Sequence, residues 1–303
     1  MIRFLTSLVE TRRHFLAVAA AFFLVIGAAL LYLAAESPFG RFYASRNAIE
    51  IVEDVPYVAG SKNPKHRLDL YLPKRLKGFP VIIFIHGGFW RGGDRKYYQE
   101  LSGTYANLGA AFAKRGIGVV IPSYRLHPEV TIGPQFEDVT AALSWTEDNI
   151  ASHGGDPERI FLMGHSAGGH LASMLAMRRA AGLRGVISLS GIYDLAGLAA
   201  NGEEVFNRTV LFPHFGADAA ALSLWSPADA AHPDLPPFAL FVGERDFPYL
   251  EPQAAAFAER LRKTGVDVLY EVVPDYTHAH MVLLFYGPDD ALSAAIARLV
   301  SDN

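Results

Sequence analysis

Cysteine is missing from all 303 residues, which excludes disulfides and thiolate chemistry and requires a fold that holds in either redox compartment. There is no basic run either. With 27 Lys and Arg against 31 Asp and Glu, the net charge of −4 describes an ordinary soluble surface that offers nothing to nucleic acid. Internal repeats and low-complexity tracts are also lacking, so solenoids and long disordered linkers are excluded. What is there is a chain 51% hydrophobic and 19% charged, long enough to bury one large core, with an appendage.

The appendage is N-terminal. His14 to Ala35 contains no Asp, Glu, Lys or Arg, and about 22 helical residues at about 1.5 Å each span roughly 33 Å, the thickness of a bilayer's hydrocarbon core. Arg3, Arg12 and Arg13 precede it, so the positive-inside rule keeps the N-terminus cytoplasmic and sends the rest across. Residues 1–35 are therefore expected to be a membrane anchor, with the catalytic domain on the periplasmic or extracellular side. Thr11-Arg12-Arg13-His14-Phe15-Leu16 resembles a twin-arginine export signal, so export with cleavage is the alternative. A buried core helix is the third reading. Residues 36–47, with Pro38 and Gly40, read as a linker, and the main domain as 48–303.

Within that domain, Ile49 to Val58 and Arg67 to Leu72 read as a strand pair, the second alternating Leu68, Leu70 and Leu72 with Arg67, Asp69 and Tyr71. Continuous apolar runs follow at Val81–Ile85, Gly118–Ile121, Ile160–Met163, Val186–Leu189, Phe238–Val242 and Val268–Val273, with helical stretches between most of them. Such runs suit an α/β fold whose mostly parallel sheet is covered on both faces. From Pro134 to Ile150, Phe136, Val139, Leu143 and Ile150 recur at helical spacing, with Glu137, Asp138, Glu147 and Asp148 elsewhere on the turn. Gly191 to Pro237 is too long for a simple crossover and carries Phe206, Phe212, Phe215 and Trp225. It reads equally as a cap over a site or as an insertion packed on the core.

Gly164-His165-Ser166-Ala167-Gly168 follows the strand Ile160–Met163 and opens a helix, the setting of a nucleophile elbow. A serine hydroxyl needs a histidine to take its proton, and the imidazolium needs a carboxylate to orient it. Where such an elbow sits on an α/β sheet, the acid lies beyond a late strand and the histidine beyond the last. Asp246 and His278 occupy those places, with Glu244 and Asp194 as competing acids and His280 as a competing base. His278 and His280 have no third ligand at suitable spacing, so neither a metal nor a cofactor is expected. His86-Gly87-Gly88-Phe89-Trp90, at the end of Val81–Ile85, would place backbone N–H groups of Gly87 and Gly88, with that of Ala167, around an oxyanion. Phe89, Trp90 and Trp225 are candidates for a substrate pocket, or for core packing.

These motifs, together with Tyr124-Arg125-Leu126-His127-Pro128-Glu129 and Gly155-Asp156-Pro157, resemble the α/β-hydrolase esterases, in particular bacterial carboxylesterases near kynurenine formamidase and hormone-sensitive lipase. The resemblance covers about residues 48 to 300. It implies an α/β-hydrolase fold, an oxyanion hole at Gly87 and Gly88, a nucleophile at Ser166, and an acid and base at Asp246 and His278. Hormone-sensitive lipase relatives usually carry a third glycine where this chain has Phe89, which favours the formamidase-like side. The expected activity is hydrolysis of a small-molecule carboxylic ester through an acyl-enzyme. The alternatives are an arylformamidase, an acyltransferase in which an alcohol captures the acyl group, and an inactive membrane-tethered binding module. Acyl-chain length and oligomeric state are not legible.

Overall fold

The computed structural model describes residues 49–96, 103–283, 285 and 290–303. The expected anchor and linker lie outside these residues, and among the described ones no helix is long and apolar enough to cross a membrane. Eight strands form one sheet: β1 (Ile49–Pro56), β2 (Arg67–Pro73), β3 (Phe79–Ile85), β4 (Gly118–Pro122), β5 (Gly155–His165), β6 (Leu183–Leu189), β7 (Phe238–Arg245) and β8 (Val268–Thr277). Their order is β1-β2-β4-β3-β5-β6-β7-β8. β1 and β2 pair antiparallel, as do β2 and β4, and every other pairing is parallel.

The apolar runs of β3 to β7 are strands with both faces covered, whereas the edge strand β8 leaves Leu269 and Val272 exposed. On β3, Val81, Ile83 and Ile85 enter one core and Ile82 and Phe84 the other; on β5, Ile160 and Leu162 part from Phe161 and Met163 in the same way. This is the two-residue period of a pleated strand, with no solvent face left to require polar residues. The first core is closed by α2 (Ile132–Asn149), α3 (Ala167–Arg178) and α4 (Leu250–Lys263), through Val139, Leu143, Leu171, Leu175, Phe257 and Leu261. The second is closed by α1 (Thr104–Ala113) and α5 (Ala291–Asp302), through Leu108, Phe112, Leu292, Ile296 and Val300.

One expectation for α2 needs correcting. Asp138 was placed on its polar side, yet it is buried, with its carboxylate gripped by the Arg125 guanidinium at 2.7 and 2.9 Å and by the Arg125 backbone N–H at 2.8 Å. His66 Nε2 lies 3.2 Å from the same carboxylate. Burying a charge is tolerated here because its oxygens are paired and hydrogen-bonded.

Residues 191–237 fold into short helical pieces, including a π-helical turn over Asn207–Leu211. Leu195, Leu198, Leu211, Phe215 and Leu222 are buried in the first core, so much of this insertion packs down on the domain. Packing is tight where α1 meets the sheet: a Cβ on Gly109 would fall 2.4 Å from the Tyr71 ring. Gly109→Val should therefore destabilise the fold by about 2 to 3 kcal/mol through overpacking. Urea unfolding measures this, and an unchanged midpoint would contradict the helix–sheet contact.

Candidate active site

Ser166 stands between the last residue of β5 and the first of α3, with φ 56° and ψ −121°. A non-glycine residue at positive φ is strained by about 1–3 kcal/mol and persists only where its surroundings over-determine it. Its neighbours do so. The Ser166 N–H bonds Leu189 O at 2.9 Å, and Ser166 O accepts from the His170 N–H at 3.0 Å. A Cβ on Gly164 would sit 2.2 Å from Gly168 O, and one on Gly168 would sit 2.0 Å from Ile85 O. Both glycines are thus required by backbone crossing at van der Waals distance, and together they press the start of α3 against the end of β3.

That crossing brings the loop after β3 to the serine. A Cβ on Gly87 would come within 3.2 Å of Ser166 Cβ and 2.9 Å of His165 O. His86, fully buried and stacked 4.3 Å from the Tyr124 ring, directs its Nδ1 at Gly87 O, 2.8 Å away. A carbonyl only accepts, so Nδ1 carries the proton. Burial, the dominant cause, lowers His86 to about 4 despite the opposing bond to Gly87, so the ring is neutral at pH 7. Because C=O and N–H point oppositely across a trans peptide, fixing Gly87 O on one side turns the Gly88 N–H to the other. The Ala167 N–H lies in the first turn of α3, where no intrahelical acceptor exists. Gly88 has φ 120°, and Phe89 and Trp90 follow at φ 54° and 58°.

Asp246 and His278 meet because Arg245 and Thr277 are partners in the β7–β8 ladder, which leaves the next residues side by side. Asp246 Oδ1 is 2.8 Å from His278 Nδ1 and accepts the Phe247 N–H at 2.7 Å, while Oδ2 accepts from the Ser190 hydroxyl. Burial alone would raise this carboxyl, but the bonds from His278, Ser190 and the Phe247 N–H together with the His278 charge hold it below the usual carboxylate range. The His278 ring also packs on Phe247 at 4.9 Å and on His165 at 4.5 Å.

The competing residues are engaged elsewhere. Asp194 caps the helix Leu195–Asn201 by accepting the Gly197 N–H, Glu244 accepts the Asp275 N–H, and His280 accepts the Thr277 N–H. Two pocket candidates need correcting. Trp90 is 0% exposed and packs edge-on against Phe215 and His170, with its Nε1–H donated to His170 Nδ1, so its surface is spent in the core. Trp225 packs on Phe136 and lies under the Arg178 guanidinium at 4.0 Å, with its carbonyl accepting from His170 Nε2–H at 2.7 Å, so its ring is taken up by packing between α2 and α3. Phe89 is 37% exposed and meets Phe206 of the insertion edge-on at 6.0 Å. Arg91 donates to Thr209 O of the π-helical turn, so the insertion grips the His86–Gly93 loop from above. Sequence reasoning missed His86 as the residue that sets the Gly87 peptide, and Ser190 as a partner of Asp246. Ser190 carries no motif signal, because it reaches the carboxylate only through the β6–β7 neighbourhood. Among the described residues no cluster of three or more His, Cys, Asp or Glu could hold a metal ion.

The profile of the BD-FAE family matches residues 68–261. The chain is 31% identical over 272 residues to a probable isoprenylcysteine alpha-carbonyl methylesterase, ICMEL1, of Oryza sativa subsp. japonica, covering 81% of this chain and 62% of that protein. It is 29% identical over 260 residues to Esterase LipQ of Mycobacterium tuberculosis (79% and 58%) and 26% identical over 220 residues to kynurenine formamidase of Drosophila melanogaster (70% of each). The chain spans 52% to 62% of the length of the plant methylesterases it matches. Esterase B from Lactobacillus rhamnosis has the same fold, with TM-score 0.73 at 23% identity over 91% of this chain and 95% of that one.

The lowered Asp246 carboxyl makes a pH-dependent prediction. A carboxyl depressed in the folded state contributes stability above its unfolded pKa of about 3.9, and the contribution is lost as pH falls through the folded value. The stability difference between wild type and Asp246→Asn should therefore be largest near neutrality and shrink below about pH 4. Thermal unfolding from pH 3 to 7 measures it, and a difference independent of pH would contradict the placement.

Proposed function

The chain belongs to the BD-FAE family of α/β-hydrolase esterases, and we propose that it cleaves carboxylic esters as a serine hydrolase, with Ser166, His278 and Asp246 as its triad. The observation that carries this reading is the Asp246–His278 bond of 2.8 Å on a base whose ring packs beside the strained elbow of Ser166. In the reaction His278 takes the Ser166 hydroxyl proton as Oγ attacks the ester carbonyl, forming a tetrahedral oxyanion. The Gly87, Gly88 and Ala167 N–H groups hold that oxyanion, the term usually largest in such catalysis. Protonated His278 returns the proton to the departing alkoxide, leaving an acyl-enzyme and an alcohol. Water, deprotonated by the same histidine, then releases the acid and restores the serine. Asp246, kept ionised by its surroundings, stabilises the imidazolium in both halves.

Phe89 offers an apolar wall one residue from the Gly88 N–H, suited to an acyl or aryl group. A second reading, an arylformamidase, is favoured by the aromatic residue at 89 and by the relative named kynurenine formamidase. Residues 14–35 are the proposed anchor, holding the domain outside the cytoplasm; that reading rests on their length and on Arg12 and Arg13.

Turnover of p-nitrophenyl esters of increasing acyl length, an isoprenylcysteine methyl ester and N-formylkynurenine separates these readings. Esters should dominate, and Ser166→Ala should lower kcat by at least about 10⁴-fold. Dominant formamide turnover would move the assignment to an arylformamidase, and a loss below about tenfold in Ser166→Ala would remove the triad mechanism. For the anchor, full-length protein should stay in the membrane fraction through an alkaline carbonate wash. Quantitative release into the supernatant would contradict it.

A further inference from the structure

We infer that His165, the residue before the nucleophile, is a positioning residue that hooks the main chain of the base to the elbow. The inference rests on the triad reading and deepens it. Ser166 follows β5 and His278 follows β8, with β6 and β7 between them in the sheet. At about 4.8 Å per strand, that separates their strands by roughly 14 Å. Both side chains must nonetheless converge above the sheet to within proton-transfer distance. Asp246 holds only one edge of the His278 ring, and the segment carrying His278 is a turn leading into the four-residue helix His280–Leu283. The bonds of the turn itself, Thr277 N–H to His280 Nδ1 and His280 N–H to Thr277 Oγ1, are local, and neither ties the His278 main chain to the elbow.

His165 supplies the second restraint. Its Nε2 lies 2.9 Å from His278 O, so Nε2–H is the donor, and its ring packs 4.5 Å from the His278 ring at 44°. The side chain is itself fixed, being 7% exposed at the end of β5 and paired with Leu189 across the ladder. Its other edge faces the oxyanion loop, since a Cβ on Gly87 would lie 3.1 Å from His165 Nδ1. One imidazole thus touches all three parts of the site: the base through its carbonyl, the elbow by covalent connection, and the oxyanion loop by contact. No proton transfer passes through it. Burial, and then the charge of His278, keep it neutral at pH 7, where Nε2–H suffices as the donor.

Because His278 acts in the transition state and not in holding the ground-state ester, loss of the hook should lower kcat and leave KM unchanged. Gln places an amide N–H where Nε2 lies, Asn places one short of it, and Leu places none. We expect His165→Leu and His165→Asn to lose about tenfold to a hundredfold in kcat, as an angstrom-scale misplacement does. His165→Gln should stay within about threefold of wild type, and all three should melt within a few degrees of it. If all three keep full kcat, or if Gln loses as much as Leu, the hook is overturned. If kcat falls only in step with melting temperature, His165 is a core residue and the inference again fails. Failure of the triad reading looks different: wild-type turnover would then survive Ser166→Ala, whatever residue 165 is.

Discussion

The close crossing of three backbones at Ser166 is the constraint on which the rest of the site depends. β5 ends, α3 begins and the loop after β3 arrives within one van der Waals contact of each other, which no side chain larger than hydrogen allows at Gly164, Gly168 or Gly87. The crossing holds Ser166 at positive φ and brings the loop carrying Gly87 against it. It also leaves His165 beneath the base loop. Strain at one residue is offset by the packing of a buried sheet whose two cores press on it from both sides.

Much of this was legible in the sequence, for identifiable physical reasons. All eight strands stand where apolar runs or alternation placed them, and in β3 to β7 the signal is uninterrupted because those strands are covered on both faces. Ser166, Asp246 and His278 were singled out as candidates from their places after strands, and the structure brings the latter two into contact. The errors share a cause. Trp90 and Trp225 are large aromatics near motif residues, and sequence proximity does not say which side of a loop faces a cleft. Trp90 follows Phe89 directly, yet Phe89 is half-open and Trp90 enclosed. Asp138 matched the polar side of a helix, and its burial is explained by the Arg125 backbone and guanidinium together with His66. The contributions of His86, Ser190 and His165 pass through carbonyls, a hydroxyl and ring faces, which carry no spacing rule.

The insertion at residues 191–237 answers one ambiguity of the sequence and sharpens another. Leu195, Leu198, Leu211, Leu222 and Phe215 belong to the core, yet Phe206 and the π-helical turn lie on the His86–Gly93 loop, joined to it by Phe89 and Arg91. The insertion is therefore joined to the His86–Gly93 loop through both of these contacts. Changes in that segment should alter specificity and rate together.

The central claim is that Ser166 attacks the substrate carbonyl. It is tested most directly by treating the protein with a fluorophosphonate and locating the covalent adduct by peptide mass spectrometry. The account predicts one adduct, on Ser166, formed in the wild type and slowed when His278 is replaced by Ala. An unlabelled Ser166, or an adduct confined to another residue, would contradict it.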